Sequence, residues 1–244
     1  MSNTTNRLNA VDTIRAIAII SMVLYHGFWD LANFGVLPQK LLSTLPVIFW
    51  QQSICITFIA VSGFCFHLSK IPLKNALIIL IAGALITAAS LILMPRNRIV
   101  FGILTFLGCA VLITFLINFI LKRINPGAGL IIFLLFFVLC KNINTGYFAG
   151  VKLPDFLYRG YIATFFGFTD KSFFSVDYFP ILPWYFIYLT GYCLYLLMKK
   201  HNLLRFLKTP EVPMINAAGR HSLLIYLIHQ PILYLIVIAV CRLN

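Results

Sequence analysis

Seven long apolar runs dominate this sequence and decide what it can fold into. Each run is close to the roughly 20 residues that an α-helix needs to cross a bilayer. With 61% hydrophobic and only 10% charged residues over 244 positions, the composition excludes an ordinary soluble globule. The sequence therefore predicts an all-α, polytopic membrane helix bundle. The predicted spans cover residues 11–31, 46–68, 73–94, 99–121, 127–147, 178–198 and 218–241.

The fifth run and the connection after it leave alternatives open. The run ends at Cys140, short enough to be a re-entrant segment unless the uncharged residues up to Gly150 extend it. The connection Lys141–Asp177 mixes charges with aromatics, which suits a solvated connector or a loop at the headgroup level with a short amphipathic helix near Tyr158–Phe166. Without a visible repeat or second domain, residues 1–244 are predicted to form one integral-membrane domain.

The basic residues predict the orientation of the bundle. Alternate connections place 11 of the 19 Lys and Arg residues on the N-terminal side and 8 on the other. Because cytoplasmic loops carry the excess of basic residues, the N-terminus is expected in the cytoplasm. A net charge of +13 dispersed among such loops gives no reason to expect nucleic-acid binding. The cytoplasmic cations could hold anionic lipid or a phosphorylated cofactor, or serve topology alone; they include Lys122, Arg123, Lys199, Lys200, Arg205 and Lys208.

Four ionisable residues lie inside or beside the first apolar run: Asp12, Arg15, His26 and Asp30. On a helix Arg15 and His26 project about 20° apart, with the two aspartates about 40° either side of His26. Ionisable groups at bilayer depth cost roughly 2.5 to 3.5 kcal/mol each on insertion scales, so they normally face a bundle interior or a site. The first helix is therefore predicted to carry functional side chains on one face.

His26 and Asp30 have the spacing of a catalytic pair, since residues i and i+4 share a helix face. Asp30 is expected to hold the imidazole in one tautomer, which makes His26 a candidate general base. Such a base can deprotonate a hydroxyl or amine that attacks an acyl thioester, or can itself be acylated first. Arg15 lies about 16 Å back along the helix, toward the cytoplasm, where the phosphates of a coenzyme A donor would enter.

The last apolar run carries a second polar face, because Ser222, Tyr226 and His229 recur at i, i+4 and i+7. His229 needs a hydrogen-bond partner at this depth, and a structural interhelical bond explains it as well as a site does. Pro231 is expected to kink the helix. A metal would need three or four converging ligands. His26, His229 and a carboxylate such as Asp30 could converge only if the first and last helices touch, and no HxxxH or HExxH pattern supports this, so no metal is predicted.

On the outer side, Asp177 precedes the sixth span and is expected to cap that helix. Arg96 and Arg98 lie in a tight turn, where they could grip an anionic substrate group or only meet solvent.

Four segments resemble a known family: Arg7–His26, Phe101–Leu104, Asp177–Trp184 and Arg220–Pro231. The first, with ten residues between its Arg15 and His26, is similar to the opening signature of the transmembrane acyltransferase superfamily. All four in order resemble its heparan-alpha-glucosaminide N-acetyltransferase-like branch. The resemblance runs the length of the chain.

This resemblance implies acetyl-CoA as co-substrate on the cytoplasmic side, and an envelope sugar or glycolipid as acceptor at the far side. It implies His26 as the catalytic histidine and Arg15 as a donor-side residue. From their positions in the sequence, Asp30 is predicted as the second catalytic residue, and Asp12, Lys122 and Arg123 as further donor-binding residues. The acceptor candidates are Asp177, Trp184, His229, Arg96 and Arg98. The small bacterial members of the branch imply a multi-pass protein of a bacterial cytoplasmic membrane, for which a homo-oligomer stays open.

The chain departs from the family pattern at Thr105, where the pattern has a histidine directly after Phe101–Leu104. A different acceptor and a catalytically silent member are both compatible with this change. A third hypothesis is a small transporter or flippase, in which His and Asp relay protons and Arg15 pairs with Asp12. The chain lacks the paired broken helices expected of a transporter. The sequence thus favours an acetyltransferase, with the acceptor and the acyl chain length left open.

Overall fold

The computed structural model of the chain describes residues 7–243, with side chains up to residue 240. Within that range the chain forms nine α-helices and one two-stranded hairpin. The helices are α1 (Asn9–Asn33), α2 (Leu45–Cys65), α3 (Pro72–Leu93), α4 (Ile103–Leu121), α5 (Pro126–Cys140), α6 (Gly160–Phe166), α7 (Ile181–Lys200), α8 (Pro213–Arg220) and α9 (Ser222–Leu243). The antiparallel hairpin pairs β1 (Tyr147–Phe148) with β2 (Val151–Lys152).

Seven of the described helices are long and apolar enough to cross a membrane. They are α1, α2 with a 3₁₀ turn to Leu68, α3, α4, α5 with its continuation to Thr145, α7 and α9. Many of their large apolar side chains are exposed, as expected for helices whose outer faces meet lipid. The predicted all-α membrane bundle of seven spans is confirmed, whereas the cytoplasmic position of the N-terminus stays a prediction.

Four predicted spans need corrected boundaries, whereas the first three agree with the observed spans within two residues at each end. The fourth begins at Ile103 because residues 99–102 pair with a distant loop instead of continuing a helix. The sixth begins at Ile181 rather than 178, and Leu182 inside it keeps a non-helical backbone. The α-helix of the fifth ends at Cys140, and a 3₁₀ turn carries the span to Thr145. The seventh was expected from 218, but the chain leaves helical geometry at His221, between α8 and α9.

The described chain divides into two compact units. The first contains residues 7–61 and 202–243, and therefore α1, most of α2, α8 and α9. In it α1 packs against both α8 and α9. The second contains residues 62–201, in which α3 packs on α4 and α5 packs on α7. That residues 1–244 act as one domain remains a prediction.

Local sequence explains several helix starts. Pro72, Pro126 and Pro213 occupy the first turns of α3, α5 and α8, where a missing backbone N–H costs nothing. The side-chain oxygen of Asn125 accepts from the amide of Gly127 at 3.0 Å and caps α5. α9 continues as a helix through Pro231, at which the sequence predicted a kink.

The connection between α5 and α7 is folded, and the short helix predicted near Tyr158–Phe166 is α6. Asp170 closes this loop, because its carboxylate accepts from the amide of Gly160 at 2.7 Å and from the amide and hydroxyl of Ser172. These bonds, that from Gly160 first, lower the pKa of Asp170 to about 2. The hydroxyl of Tyr178 donates to the carbonyl of Thr164 at 2.6 Å and ties α6 to the approach to α7.

Candidate functional site: the seam between the first and last spans

The N-terminal turns of α1 are fixed by α8. Gly219 lies so close to the backbone of Asp12 that an added Cβ would overlap its carbonyl oxygen. The amide nitrogen of Asn216, which is fully buried, donates to the carbonyl of Asn9 at 2.8 Å and to the hydroxyl of Thr13 at 3.2 Å. A small residue and a buried amide therefore set where α9, which follows α8 directly, begins relative to α1.

The packing of α1 on α9 forms a seam of polar side chains, called the α1/α9 seam below. Its members are Arg15, His26 and Asp30 of α1 and Ser222, His229 and Gln230 of α9. The contacts advance along both helices together, from Arg15 with Ser222 to Phe34 with Tyr234, so the helices run in the same direction. Five of the described spans lie between α1 and α9 in the sequence, so both helices would begin on the same side of a membrane. Their common direction agrees with this.

Arg15 lies at the N-terminal end of the seam. Its guanidinium donates to the hydroxyl of Ser222 at 2.8 Å. An arginine has five N–H donors, so this bond leaves others for an anionic ligand. Among the described side chains, Asp12 forms its ion pair with Arg7, whose Nε atom lies 2.7 Å from a carboxylate oxygen of Asp12. The Arg15–Asp12 pair expected of a transporter is therefore not the arrangement in this structure.

Two imidazoles meet in the middle of the seam. The ring centroids of His26 and His229 are 5.0 Å apart. The Nδ1 atom of His229 lies 2.6 Å from the carbonyl oxygen of Tyr226, which can only accept, so Nδ1 carries the proton. The Nε2 atom of His229 is buried and has no hydrogen-bond partner among the described residues. A neutral His229 therefore presents an available lone pair at Nε2.

The face predicted for the last span is confirmed, because Ser222, Tyr226 and His229 are all at least nine-tenths buried. Aromatic residues pack beside His26 as well. The ring of Tyr25 lies edge-on to His26 and to Trp50, with centroid distances of 6.0 and 5.5 Å. The indole N–H of Trp50 donates to the hydroxyl of Ser21 at 2.7 Å and fixes that ring against α1.

Asp30 has a different partner from the one the sequence predicted. Its two carboxylate oxygens accept from the amide nitrogen of Gln230, at 3.1 and 3.0 Å. The described side chains show no hydrogen bond from His26 to Asp30, so the expected orientation of His26 by Asp30 is replaced by a bond across the seam. The geometric reason is that Asp30 is buried and faces α9, where an amide donor is available.

In the second unit, the segments Phe101–Leu104 and Asp177–Trp184 begin at two chain stretches that pair with each other. The amide of Phe179 donates to the carbonyl of Phe101 at 2.9 Å, and that of Val176 to the carbonyl of Arg98 at 3.2 Å. Asp177 accepts from the amide of Ile103 at 3.2 Å, and Gly102 leaves room for its carboxylate. Asp177 thus caps α4.

The capping of the sixth span by Asp177 was a wrong prediction. The N-cap of α7 is Pro180, and that helix start receives no side-chain capping bond. Because α7 begins only at Ile181, Asp177 lies before its N-cap residue, and the carboxylate accepts from the amide of Ile103 at the start of α4. A role of Asp177 toward an acceptor stays a prediction.

The remaining predicted residues of the second unit have ordinary surroundings. Arg96 is exposed, whereas the Nε atom of Arg98 donates to the carbonyl of Phe174 at 3.1 Å. Trp184 packs on the rings of Phe179 and Phe137, at 5.1 and 5.8 Å. The exposed pair Lys122 and Arg123 lies at the C-terminal end of α4. Their binding roles remain predictions.

Thr105 lies where α3 and α4 approach closely. A Cβ added to Gly83 of α3 would lie 2.9 Å from both the amide nitrogen and the hydroxyl oxygen of Thr105. This contact leaves no room for a side chain at position 83 and so accounts for the glycine of α3. The effect of Thr105 on activity stays a prediction.

The comparison with known protein families decides the assignment of the chain. A family model described as "Heparan-alpha-glucosaminide N-acetyltransferase, catalytic" matches residues 7–231. The chain belongs to this family. No curated protein and no solved structure matches the chain. The resemblance inferred from the four sequence segments is therefore confirmed, and the chain is a member of a family of membrane acetyltransferases.

The match to the heparan-alpha-glucosaminide N-acetyltransferase family includes every residue of the α1/α9 seam and ends at Pro231, one residue after Gln230. Sequence reasoning treated Gln230 only as part of a motif and assigned it no role. Its signal was available, since it is a polar side chain at membrane depth beside His229. The pairing of Gln230 with Asp30 could not be read from spacing, because 200 residues separate them.

Proposed function

We propose that this chain transfers an acetyl group from acetyl-CoA to a hydroxyl or amino group of a cell-envelope sugar or glycolipid. The observation that carries the proposal is the pair of imidazoles in the α1/α9 seam, His26 and His229, 5.0 Å apart. Membership of the heparan-alpha-glucosaminide N-acetyltransferase family supports acetyl transfer as the reaction. The cytoplasmic membrane of a bacterium and a cytoplasmic donor belong to the same proposal.

The pair supplies acid–base chemistry. The Nε2 atom of His229 accepts the proton of the acceptor's O–H or N–H bond as that oxygen or nitrogen attacks the thioester carbonyl carbon. A C–O or C–N bond forms, the C–S bond breaks, and the coenzyme A thiolate leaves. The proton held by the histidine pair then passes to this thiolate, so the products are the acetylated acceptor and free coenzyme A. His26, the histidine of the first family-like segment, is the second member of the pair.

The carbonyl of Tyr226 has a defined part in this scheme. By accepting from Nδ1 it keeps the proton of His229 away from Nε2, which is the nitrogen that must be unprotonated to act as a base. Sequence reasoning gave this orienting role to Asp30 acting on His26. In the proposed mechanism a backbone carbonyl performs it for His229, and Asp30 acts through Gln230.

Arg15 is the proposed contact for the donor's phosphates. Its remaining N–H donors lie at the end of the seam where the first span begins, about 16 Å along α1 from His26 by helical rise. An extended pantetheine arm can cover such a separation between phosphate and thioester. The negative charge of Asp12 is compensated by its ion pair with Arg7, so Asp12 does not repel an anion at this end of the seam. Lys122 and Arg123 are further proposed contacts for the donor.

The test is release of free thiol from acetyl-CoA by purified protein in detergent or nanodiscs, with and without sugar acceptors. His26→Ala and His229→Ala should each lower the rate by roughly 10² to 10⁴, the range of one general acid–base group. His201→Ala changes an exposed histidine and serves as the matched control. Full thiol release by His26→Ala, or no rise in melting temperature with millimolar acetyl-CoA or coenzyme A, would contradict the proposal.

A further inference from the structure

Gln230 has a fixed orientation in the α1/α9 seam. Its amide nitrogen donates to both oxygens of Asp30, and Asp30 is almost wholly buried. A carboxylate attracts the N–H₂ end of an amide and repels its oxygen. Asp30 therefore holds the nitrogen of Gln230 and turns the amide oxygen, Oε1, away from itself.

Two buried atoms of the seam lack a hydrogen-bond partner among the described residues: Oε1 of Gln230 and Nε2 of His229. Both are acceptors, since Asp30 fixes the amide and the Tyr226 carbonyl fixes the imidazole. Leaving a buried acceptor unpaired is unfavourable, and such groups in a native protein need an explanation. Two of them on adjacent residues of α9 indicate a ligand that brings donors.

The two acceptors belong to side chains that contact neighbouring turns of α1. His229 contacts His26, and Gln230 bonds Asp30, one helical turn further along α1, roughly 6 Å by helical rise. A thioester and its acetyl group offer only acceptors, so they do not complement this part of the seam. A ring with several hydroxyl groups does, because it places one donor at the reacting position and others a few ångströms away.

We infer that Gln230 is a specificity-determining residue, whose Oε1 atom accepts a hydrogen bond from a neighbouring hydroxyl of a polyhydroxylated acceptor while Nε2 of His229 accepts from the group to be acetylated. Asp30 is the positioning residue that holds Gln230 in this orientation. The inference rests on the proposed function and adds the residue that reads the acceptor: Gln230 favours an acceptor with a second donor beside the reacting group over a simple alcohol or amine.

The experiment measures binding and needs no turnover. Glucosamine and cyclohexylamine both carry an amine on a six-membered ring, but only glucosamine has hydroxyl donors. Apparent dissociation constants come from the melting temperature of the full-length protein in detergent as each probe is titrated, for the wild type, Gln230→Met and Gln51→Met. Gln51 is an exposed glutamine of α2 and gives the matched control.

Wild type and Gln51→Met are expected to prefer glucosamine by at least about tenfold, the value of one or more buried hydrogen bonds. Gln230→Met should lose most of this preference while keeping its affinity for acetyl-CoA. Cyclohexylamine partitions into the detergent to the same extent in every sample. This partition therefore cancels when the preference for glucosamine is compared between variants. Equal binding of the two probes by the wild type, no binding of glucosamine, or an unchanged preference in Gln230→Met would each overturn the inference.

Asp30→Asn provides a second variant should Gln230→Met not fold. The amide introduced at position 30 can still hydrogen-bond Gln230, but it can donate as well as accept, so the amide of Gln230 is free to turn its nitrogen toward the ligand. We expect the glucosamine preference to fall in this variant, and an unchanged preference would overturn the inference. Thiol release from acetyl-CoA with no probe preference would refute the inference alone, whereas absence of any thioester turnover would refute the proposed function.

Discussion

Asp30 and Asp177 are two acidic residues near family-like segments, and the structure uses them in opposite ways. The carboxylate of Asp177 accepts from a backbone amide at the start of α4, so it completes a helix end. The carboxylate of Asp30 holds the side chain of Gln230, whose other end is left unpaired among the described residues. One aspartate completes the hydrogen bonding of the fold, and the other leaves an acceptor available to a ligand.

The same contrast separates the two regions that contain them. The paired stretches near 98–103 and 174–179 bond through backbone groups and short side chains; the amide of Val100, for instance, donates to Ser175 at 3.0 Å. The α1/α9 seam instead relies on side chains that reach across two helices. We therefore expect substitutions in the first region to change stability, and substitutions in the seam to change chemistry.

The largest effect is expected from combining the two histidine substitutions. If His26 and His229 work as one unit, the double variant His26→Ala/His229→Ala should be hardly slower than the slower single variant, rather than showing the product of two losses of roughly 10² to 10⁴. Steady-state thiol release by all three variants measures this. Losses that multiply would show that the two imidazoles act independently.

Next in size is the effect of Gly219→Ala on stability. The added methyl group would overlap the carbonyl oxygen of Asp12, and overpacking of this kind costs typically about 1–3 kcal/mol. A lower melting temperature in detergent is the measurement. Gly27→Ala is the control on the same unit, because its Cβ would lie 3.5 Å from Leu233, an ordinary contact. Equal melting temperatures of the two variants would contradict the close approach of α1 and α8.

A smaller loss of stability is expected for Asp177→Ala. Removing a helix-capping carboxylate costs about 1 kcal/mol. If the α4 cap is the whole role of Asp177, the kcat/KM of the remaining folded protein stays at the wild-type value. Melting curves and thiol release on the same preparation measure the two quantities. A fall in kcat/KM beyond the loss of folded protein would instead support contact between Asp177 and the acceptor.

The smallest effect concerns Asp170 and pH. The folded pKa of about 2 lies below the ordinary value of 3.8, so the unfolded chain binds this proton more readily. The stabilisation by Asp170 is therefore fully present above pH 3.8 and is lost as pH falls toward 2. Melting temperatures of wild type and Asp170→Asn should accordingly differ at neutral pH and converge over this window. A difference that persisted at the lowest pH would contradict this role.

Much of this architecture could be predicted because membrane spans are specified locally. Seven apolar runs gave seven spans, and the 3.6-residue period placed Ser222, Tyr226 and His229 on one buried face. The pairing of Asp30 could not be predicted, since periodicity identifies the face of one helix and not the residue opposite it. His26 at i−4 was the nearest candidate in sequence, whereas Gln230 is the partner in space.

The starts of α4, α7 and α9 were missed for a related reason. Hydropathy does not distinguish an apolar helical turn from an apolar extended segment, so residues 99–102 were included in a span. Only the distant partner, Phe179 donating to Phe101, shows that this segment is not helical. The break at His221 lies two residues after Gly219, whose close approach to α1 is a tertiary contact that hydropathy does not report.

The first unit joins the first described span to the last one, and this has a consequence for synthesis of the protein. His26 is made and can enter the membrane long before His229 exists, because 202 residues lie between them. The polar face of α1 must therefore persist without its partner until α9 is inserted, since their contact joins distant parts of the sequence. A nascent chain released before α9 would contain most of the bundle and no acid–base pair, so chemical competence is acquired only in the final step of assembly.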